Sequence, residues 1–157
     1  MGAGSGMALK GLQWFLRGVQ FGCAALILAI YSYFLATLSN HNLNIEPWIR
    51  AVEGISGLAV LYTGFGLLLL CCVAGHPFTS FLAIVLDVCF IGGFIFIATA
   101  NRGGGGSCNG MVNTPYGSGD SNTNVVDNGN GGFTTLPSLH QACQLETACL
   151  AVSIIAM

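Results

Sequence analysis

The sequence predicts an all-α protein, a transmembrane antiparallel four-helix bundle, and three observations predict it. Val19–Leu38 and Gly54–Ala74 contain no Asp, Glu, Lys, Arg or His, and Phe78–Ala100 contains one, Asp87. Each run is long enough to cross a hydrocarbon core of about 30 Å, which takes roughly 20 helical residues. Only 6% of the 157 residues are charged, 54% are hydrophobic, and the mean hydropathy is +0.74. A soluble domain of that composition would have no water-facing surface to offer. In lipid the backbone must satisfy its own hydrogen bonds, which makes each apolar run a helix.

Helix 1 is expected over 9–38, after a short flexible MGAGSG tail, with Lys10 and Arg17 at its leading end. Its apolar run is too long for a signal-peptide core and reads as retained. Met1-Gly2 is followed by Gly6 where myristoylation wants Ser or Thr. Ser39–Ile45 is a polar turn, and Pro47 suits the first turn of helix 2, over 47–73. Gly75-His76-Pro77 stops that helix, and Thr79 or Ser80 offers a cap for helix 3, over 78–100. So short a connection makes the two helices antiparallel neighbours.

The segment 101–139 differs in character, with ten of the chain's 23 glycines, including Gly103–Gly106. It is expected to be an exposed, irregular loop without a packed core. Helix 4 is expected over 140–157, about 18 residues or roughly 27 Å. The carboxylate of Met157 would then fall at or inside the far interface, at some cost. Tilt, thinning or oligomerisation would relieve that cost, and truncation of a longer protein explains it most simply.

A net charge of −2 and a pI near 5.8 leave no basic stripe for nucleic acid. Four Lys and Arg in total provide no polybasic lipid anchor. His41, His76 and His140 lie in separate loops without ligand spacing, so no metal site is expected. No nucleophile–base pair, phosphate loop or HExxH occurs, and neither an enzyme nor a cofactor is expected.

Three ionisable residues in or beside the apolar stretches need explaining: Arg17, Asp87 and Glu53. Asp87 lies about 13 Å into helix 3, within reach of Arg17 if both begin from the same side. Such a carboxylate by default hints at an ion or proton path. A structural pair with Arg17, or a protonated acid bonded between helices, is the plainer reading, because a transporter sets several polar groups at the midplane. Glu53, toward the outer end of helix 2, is expected to reach the interface or Arg50.

Gly18, Gly22, Ala25 and Ala29 share one face of helix 1 and include a GxxxG, which permits close helix contact. Internal packing is preferred over contact with a second subunit, and Gly54, Gly57, Gly64 and Gly92-Gly93 fit the same role. Cys71-Cys72, at one end of helix 2, offers an S-acylation site, although apolar filler explains the pair without function.

Of seven cysteines, only Cys108 and Cys143 lie outside apolar segments, and they bracket the glycine-rich loop. The pair reads as a disulfide in an oxidising compartment, the alternative being two free thiols in a cytosolic loop. Positive charge does not orient the chain: with the N-terminus inside, Lys10 and Arg17 balance Arg50 and Arg102.

Leu16-Arg17 with Gln20, His76-Pro77, Leu86-Asp87, the loop opening Arg102-Gly-Gly-Gly-Gly-Ser-Cys108, Val112-Asn-Thr-Pro-Tyr-Gly117 and Cys143 occur in an order and spacing that resemble the fungal branch of the MARVEL-domain membrane proteins. The resemblance covers essentially the whole chain. It implies four membrane helices, both ends in the cytosol, the loop outside, and a part in membrane apposition, subdomain organisation or vesicle traffic. The chain departs from the pattern at helix 4 and its tail, which puts tail-dependent partners in doubt. Two functions compete: a structural organiser whose partners are the bilayer and a homo- or hetero-oligomer through the helices, and a small transport or channel subunit using Asp87. A dry bundle interior favours the first; an open polar path favours the second.

Overall fold

A computed structural model describes residues 3–72, 77–124 and 136–157, with side chains described for 8–68, 81–124 and 136–157. The chain is mostly helical, with α1 (Ala3–Asn40), α2 (Pro47–Cys72), α3 (Pro77–Ala100) and α4 (Leu139–Ala156). All four are long and apolar enough to cross a membrane. Helix α1 begins at Ala3, so residues expected in a flexible tail are helical. At 38 residues it is about 57 Å long and exceeds a bilayer core. The Gly75-His76 part of the expected turn, and the Cys71 and Cys72 side chains, lie outside what is described.

The buried positions recur at helical spacing. In α1 they are Ala24, Ile27, Tyr31, Phe34 and Leu38; in α2, Ile49, Val52, Ser56, Ala59 and Thr63; in α4, Leu139, Ala142, Glu146, Cys149, Ser153 and Ala156. Steps of three and four keep one face inward, and the remaining faces carry exposed Leu, Ile and Phe suited to lipid. Helix α1 packs most extensively on α2 and also on α4, α4 packs on α3, and the α2–α3 contact is thin. Gly93 lets α3 approach α2 closely, since a Cβ there would meet Ile55 Cγ2 at 2.9 Å.

The small polar residues inside this core are satisfied within their own helices. Thr37 donates to the Tyr33 carbonyl at 2.9 Å, Ser56 to Glu53 at 3.0 Å, Thr63 to Ala59 at 2.7 Å and Ser153 to Leu150 at 2.8 Å. A buried polar link ties α1 to the end of α3: Tyr31 donates to Asn101 Oδ1 at 2.9 Å, and Asn101 Nδ2 donates to the Ile97 carbonyl at 2.9 Å.

The expectation of an irregular, coreless loop, and with it a strictly all-α chain, is corrected. A 3-10 turn at Arg102–Gly105 is followed by a hairpin of β1 (Met111–Thr114) and β2 (Gly117–Asp120), antiparallel with Met111 opposite Asp120 and Thr114 opposite Gly117. Pro115-Tyr116 makes the turn, and Gly117, at φ 122°, takes a conformation that L side chains rarely adopt. Val112, Leu139 and Cys143 form a small core beneath the hairpin, with Cys108 and Tyr116 against it. Polar composition misled here because so little apolar area suffices when a cross-link and a helix end complete the unit.

Candidate functional site

Chemistry-bearing side chains collect in two places: a charged cluster within the helices, and the loop unit that covers one end of them.

In the cluster, Arg17 of α1 meets Asp87 of α3 through two hydrogen bonds, Nη1 to Oδ1 at 2.8 Å and Nη2 to Oδ2 at 2.9 Å. This fork-on-carboxylate geometry is the strong form of the pair. Tyr62 of α2 completes it. Its hydroxyl accepts from Arg17 Nη2 at 3.1 Å and lies 3.1 Å from Asp87 Oδ1 and 3.0 Å from the Ala83 carbonyl, with one proton to give to either. The guanidinium carbon sits 5.0 Å from the Tyr62 ring centre, and that ring stacks on Phe90 at 4.9 Å. Three helices are thereby pinned together where α2 and α3 otherwise touch little. The enclosed space beside Asp87 is about 10 Å³, the lower limit for a single water.

Sequence reasoning missed Tyr62. The available signal was a phenol inside an apolar run, which needs a hydrogen-bond partner once removed from water. Of the two places expected for Glu53, Arg50 is not the partner: among the described residues Glu53 accepts from Ser32 Oγ of α1 at 3.0 Å. The preference for internal packing of the small-residue face of α1 is corrected as well. Gly18, Gly22 and Ala29 are exposed and Ala25 only half-buried. A Cβ on Gly18 or Gly22 would meet nothing within 4 Å. The inward stripe runs one position away, through Ala24, Ile27 and Tyr31, where Ile27 and Tyr31 fill the space between helices.

The loop unit is held by three devices. Cys108 and Cys143 form a disulfide with Cα atoms 5.7 Å apart, closing 35 residues of sequence separation. The remaining cysteines with described side chains, Cys23, Cys89 and Cys149, are free.

The N-terminus of α4 is fully capped. An α-helix leaves its first four N–H groups without helical partners. Here the Ser138 N–H donates to Gln141 Oε1 at 3.3 Å, Leu139 to the Thr123 carbonyl at 3.3 Å, His140 to the Ser121 carbonyl at 3.2 Å, and Gln141 to Ser138 Oγ at 3.3 Å. The outer pair is a capping box, and the inner two bonds come from the loop itself. His140 adds Nδ1 against the Cys108 carbonyl at 2.8 Å while Nε2 faces Gln144 Nε2 at 3.1 Å. Those partners fit the Nδ1–H tautomer.

The third device is the glycine turn. Thr147 Oγ1 lies 2.6 Å from the Gly104 carbonyl, and a Cβ on Gly104 would fall 2.5 Å from Thr147 N and 2.7 Å from the Glu146 carbonyl carbon. Only glycine lets the turn lie on α4 so closely. Gly104→Ala should therefore loosen the loop by about 1–3 kcal/mol. Hydrogen exchange over residues 102–120 would read this as faster exchange in the variant, and unchanged protection would contradict the contact.

Tyr116, at the hairpin tip, packs edge-on against Phe34 with ring centres 5.5 Å apart. Its hydroxyl is enclosed. Thr37 gives its own proton to the Tyr33 carbonyl, and its oxygen is left as the acceptor that faces the phenol, while burial pushes that phenol well above its ordinary range. Beside this tip, Leu38, Trp48, Phe96 and Glu146 bring the ends of all four helices around an open cavity of about 880 Å³. Glu146 is only 3% exposed, and its Oε2 has no hydrogen-bond partner among the described residues. The sequence reading gave Glu146 no role.

Among the described residues no three His, Cys, Asp or Glu converge as metal ligands would. Comparison with known protein families, characterised proteins and solved structures returns no match.

Proposed function

We propose that this chain is a structural organiser of membranes: a MARVEL-like, antiparallel four-helix protein with a cytosolic N-terminus and a disulfide-closed platform on the non-cytosolic face. The observation that carries this reading is the contrast between its two ends. Among the described residues the helix interior is mostly apolar, Arg17 and Asp87 neutralise each other, and the pocket beside Asp87 holds about 10 Å³. The chain spends its structural devices instead on a rigid loop unit that covers one end. A cross-link, a complete helix cap and a close-packed glycine turn suit a surface made to be presented, not a path made to open. Chemistry is no part of the role.

The antiparallel arrangement is supported by the cavity lining, which joins late residues of α1 and α3 to early residues of α2 and α4. The non-cytosolic loop is supported by the disulfide, which persists in oxidising compartments. The resemblance in the Gly103–Gly106 and Val112–Gly117 segments supports the family.

Two measurements test the reading. Asn124→Thr creates an Asn122-Thr-Thr acceptor site in the exposed loop. Glycosylation of that variant in a eukaryotic host is expected, and an unmodified loop that is alkylated from the cytosolic side would reverse the orientation. Fluorescently tagged protein should collect in long-lived membrane patches and recover slowly after bleaching. Uniform distribution with fast recovery would remove the organising role.

A further inference from the structure

We infer that the outer seam of α1 and α2 is the face through which two copies of this chain associate, side by side in one membrane, by reciprocal pairing of Arg50 with Glu53. A carboxylate within a membrane helix faces the bundle interior or a water-filled cavity as a rule, and is paired there. Glu53 does otherwise. It lies six residues after Pro47, about 9 Å into α2, and is half-buried at the seam with α1. Among the described residues its one partner is Ser32 Oγ at 3.0 Å, a neutral donor that is itself exposed. A hydroxyl meets one lone pair and leaves the charge uncompensated.

The complementary cation is on the same helix. Arg50 stands three residues before Glu53, is exposed, and forms no ion pair among the described residues. Opposite charges one turn apart along one helix make a self-complementary strip, which is what a twofold interface requires. An axis along the membrane normal sets equal depths of the two copies against each other. Arg50 of each copy then lies one helical turn from the level of the partner's Glu53, within the reach of its long side chain. The guanidinium supplies the charge that Ser32 lacks, and N–H donors with it.

The surroundings let the copies come close. Ala29 and Ala36 lie three residues before and four after Ser32, on the outer face of α1, and both are exposed. Gly54 follows Glu53 and is exposed too, and a Cβ there would meet nothing within 4 Å. Small side chains permit such an approach, and the charges give it a cause. A lipid ammonium is the rival partner for Glu53, but it would have to leave the headgroup layer to reach that depth, whereas Arg50 is carried there by the fold. This association goes beyond the organising role and needs only that the helices span a bilayer, so either can fail alone.

The test uses full-length protein, labelled separately with donor and acceptor fluorophores and reconstituted together in phosphatidylcholine vesicles. Energy transfer should stay above the level of random proximity as the protein is diluted with lipid. Arg50→Glu and Glu53→Arg should each weaken self-association roughly tenfold or more, because like charges then meet across the axis. Mixed together, these two variants should regain the native transfer, since each offers the charge that the other lacks. That rescue separates a lost contact from a lost fold. Arg50→Gln, a change at an exposed position, should by itself weaken association, and unchanged transfer in that variant overturns the pairing. Native protein that transfers no more than random proximity would also overturn it and leave the seam to lipid or to a different protein. So would a mixture that associates no better than either variant alone while both keep the Cys108–Cys143 bond on a non-reducing gel.

Discussion

Replacing Cys108 and Cys143 together by serine should open the loop unit while the helices remain associated. On the chain-entropy account, closing a loop of this length stabilises by about 3–4 kcal/mol. The hairpin has little else to draw on: its core is Val112, Leu139 and Cys143, with Tyr116 alongside, far less than an independent unit needs. The apolar helix core includes neither cysteine and meets the hairpin through Tyr116. The expected signature is therefore local, with hydrogen exchange and limited proteolysis accelerating across Asn109–Thr123 while the four helices keep their protection. Full protection of the loop in the serine variant would show that the α4 cap and the glycine turn hold it unaided.

Asp87→Asn should destabilise the helices themselves. It leaves the Arg17 guanidinium without its counter-charge at a place where an uncompensated charge costs about 3 kcal/mol. Arg17→Gln should do comparable damage by stranding Asp87. Because each single change leaves the other charge unpaired, the double variant should lose less than the sum of the two. Thermal unfolding in one detergent, run on all four proteins, checks this. The same proteins in liposomes should be equally tight to protons and cations. A flux through the native protein that Asp87→Asn abolishes would move the reading to transport, and additive losses would deny that the two residues act as a pair.

Three of the four long apolar helices were legible because lipid imposes a length and forbids exposed backbone, and both demands are written directly in Val19–Leu38, Gly54–Ala74 and Phe78–Ala100. Which face turns inward was not legible. In water the outward face of a helix is polar and reveals itself, but here Leu26 and Leu58 outside match Ile27 and Val52 inside. The GxxxG pointed to the wrong stripe for that reason. Arg17, Asp87, Cys108 and Cys143 could be named because each is chemically out of place in its surroundings. Tyr62 and Glu146 could not: their roles depend on neighbours 21 or more residues away, Ala83 and Asp87 for the first and the loop glycines for the second. The hairpin was concealed by glycines whose purpose, at Gly104 and Gly117, is close approach and backbone conformation.

The capped start of α4 has a consequence for the order in which the molecule is made. Two of its four donors are met by Ser121 and Thr123, and the sulfur that locks them in place, Cys143, is synthesised 35 residues after its partner. Until α4 emerges, Cys108 has only wrong cysteines to find, and the strands have no floor. The last helix is also among the least apolar of the four, so it gains most from arriving with its end already satisfied. On the proposed topology, closure of the loop thus waits for α4, and an oxidant acting before Cys143 is made would mispair Cys108.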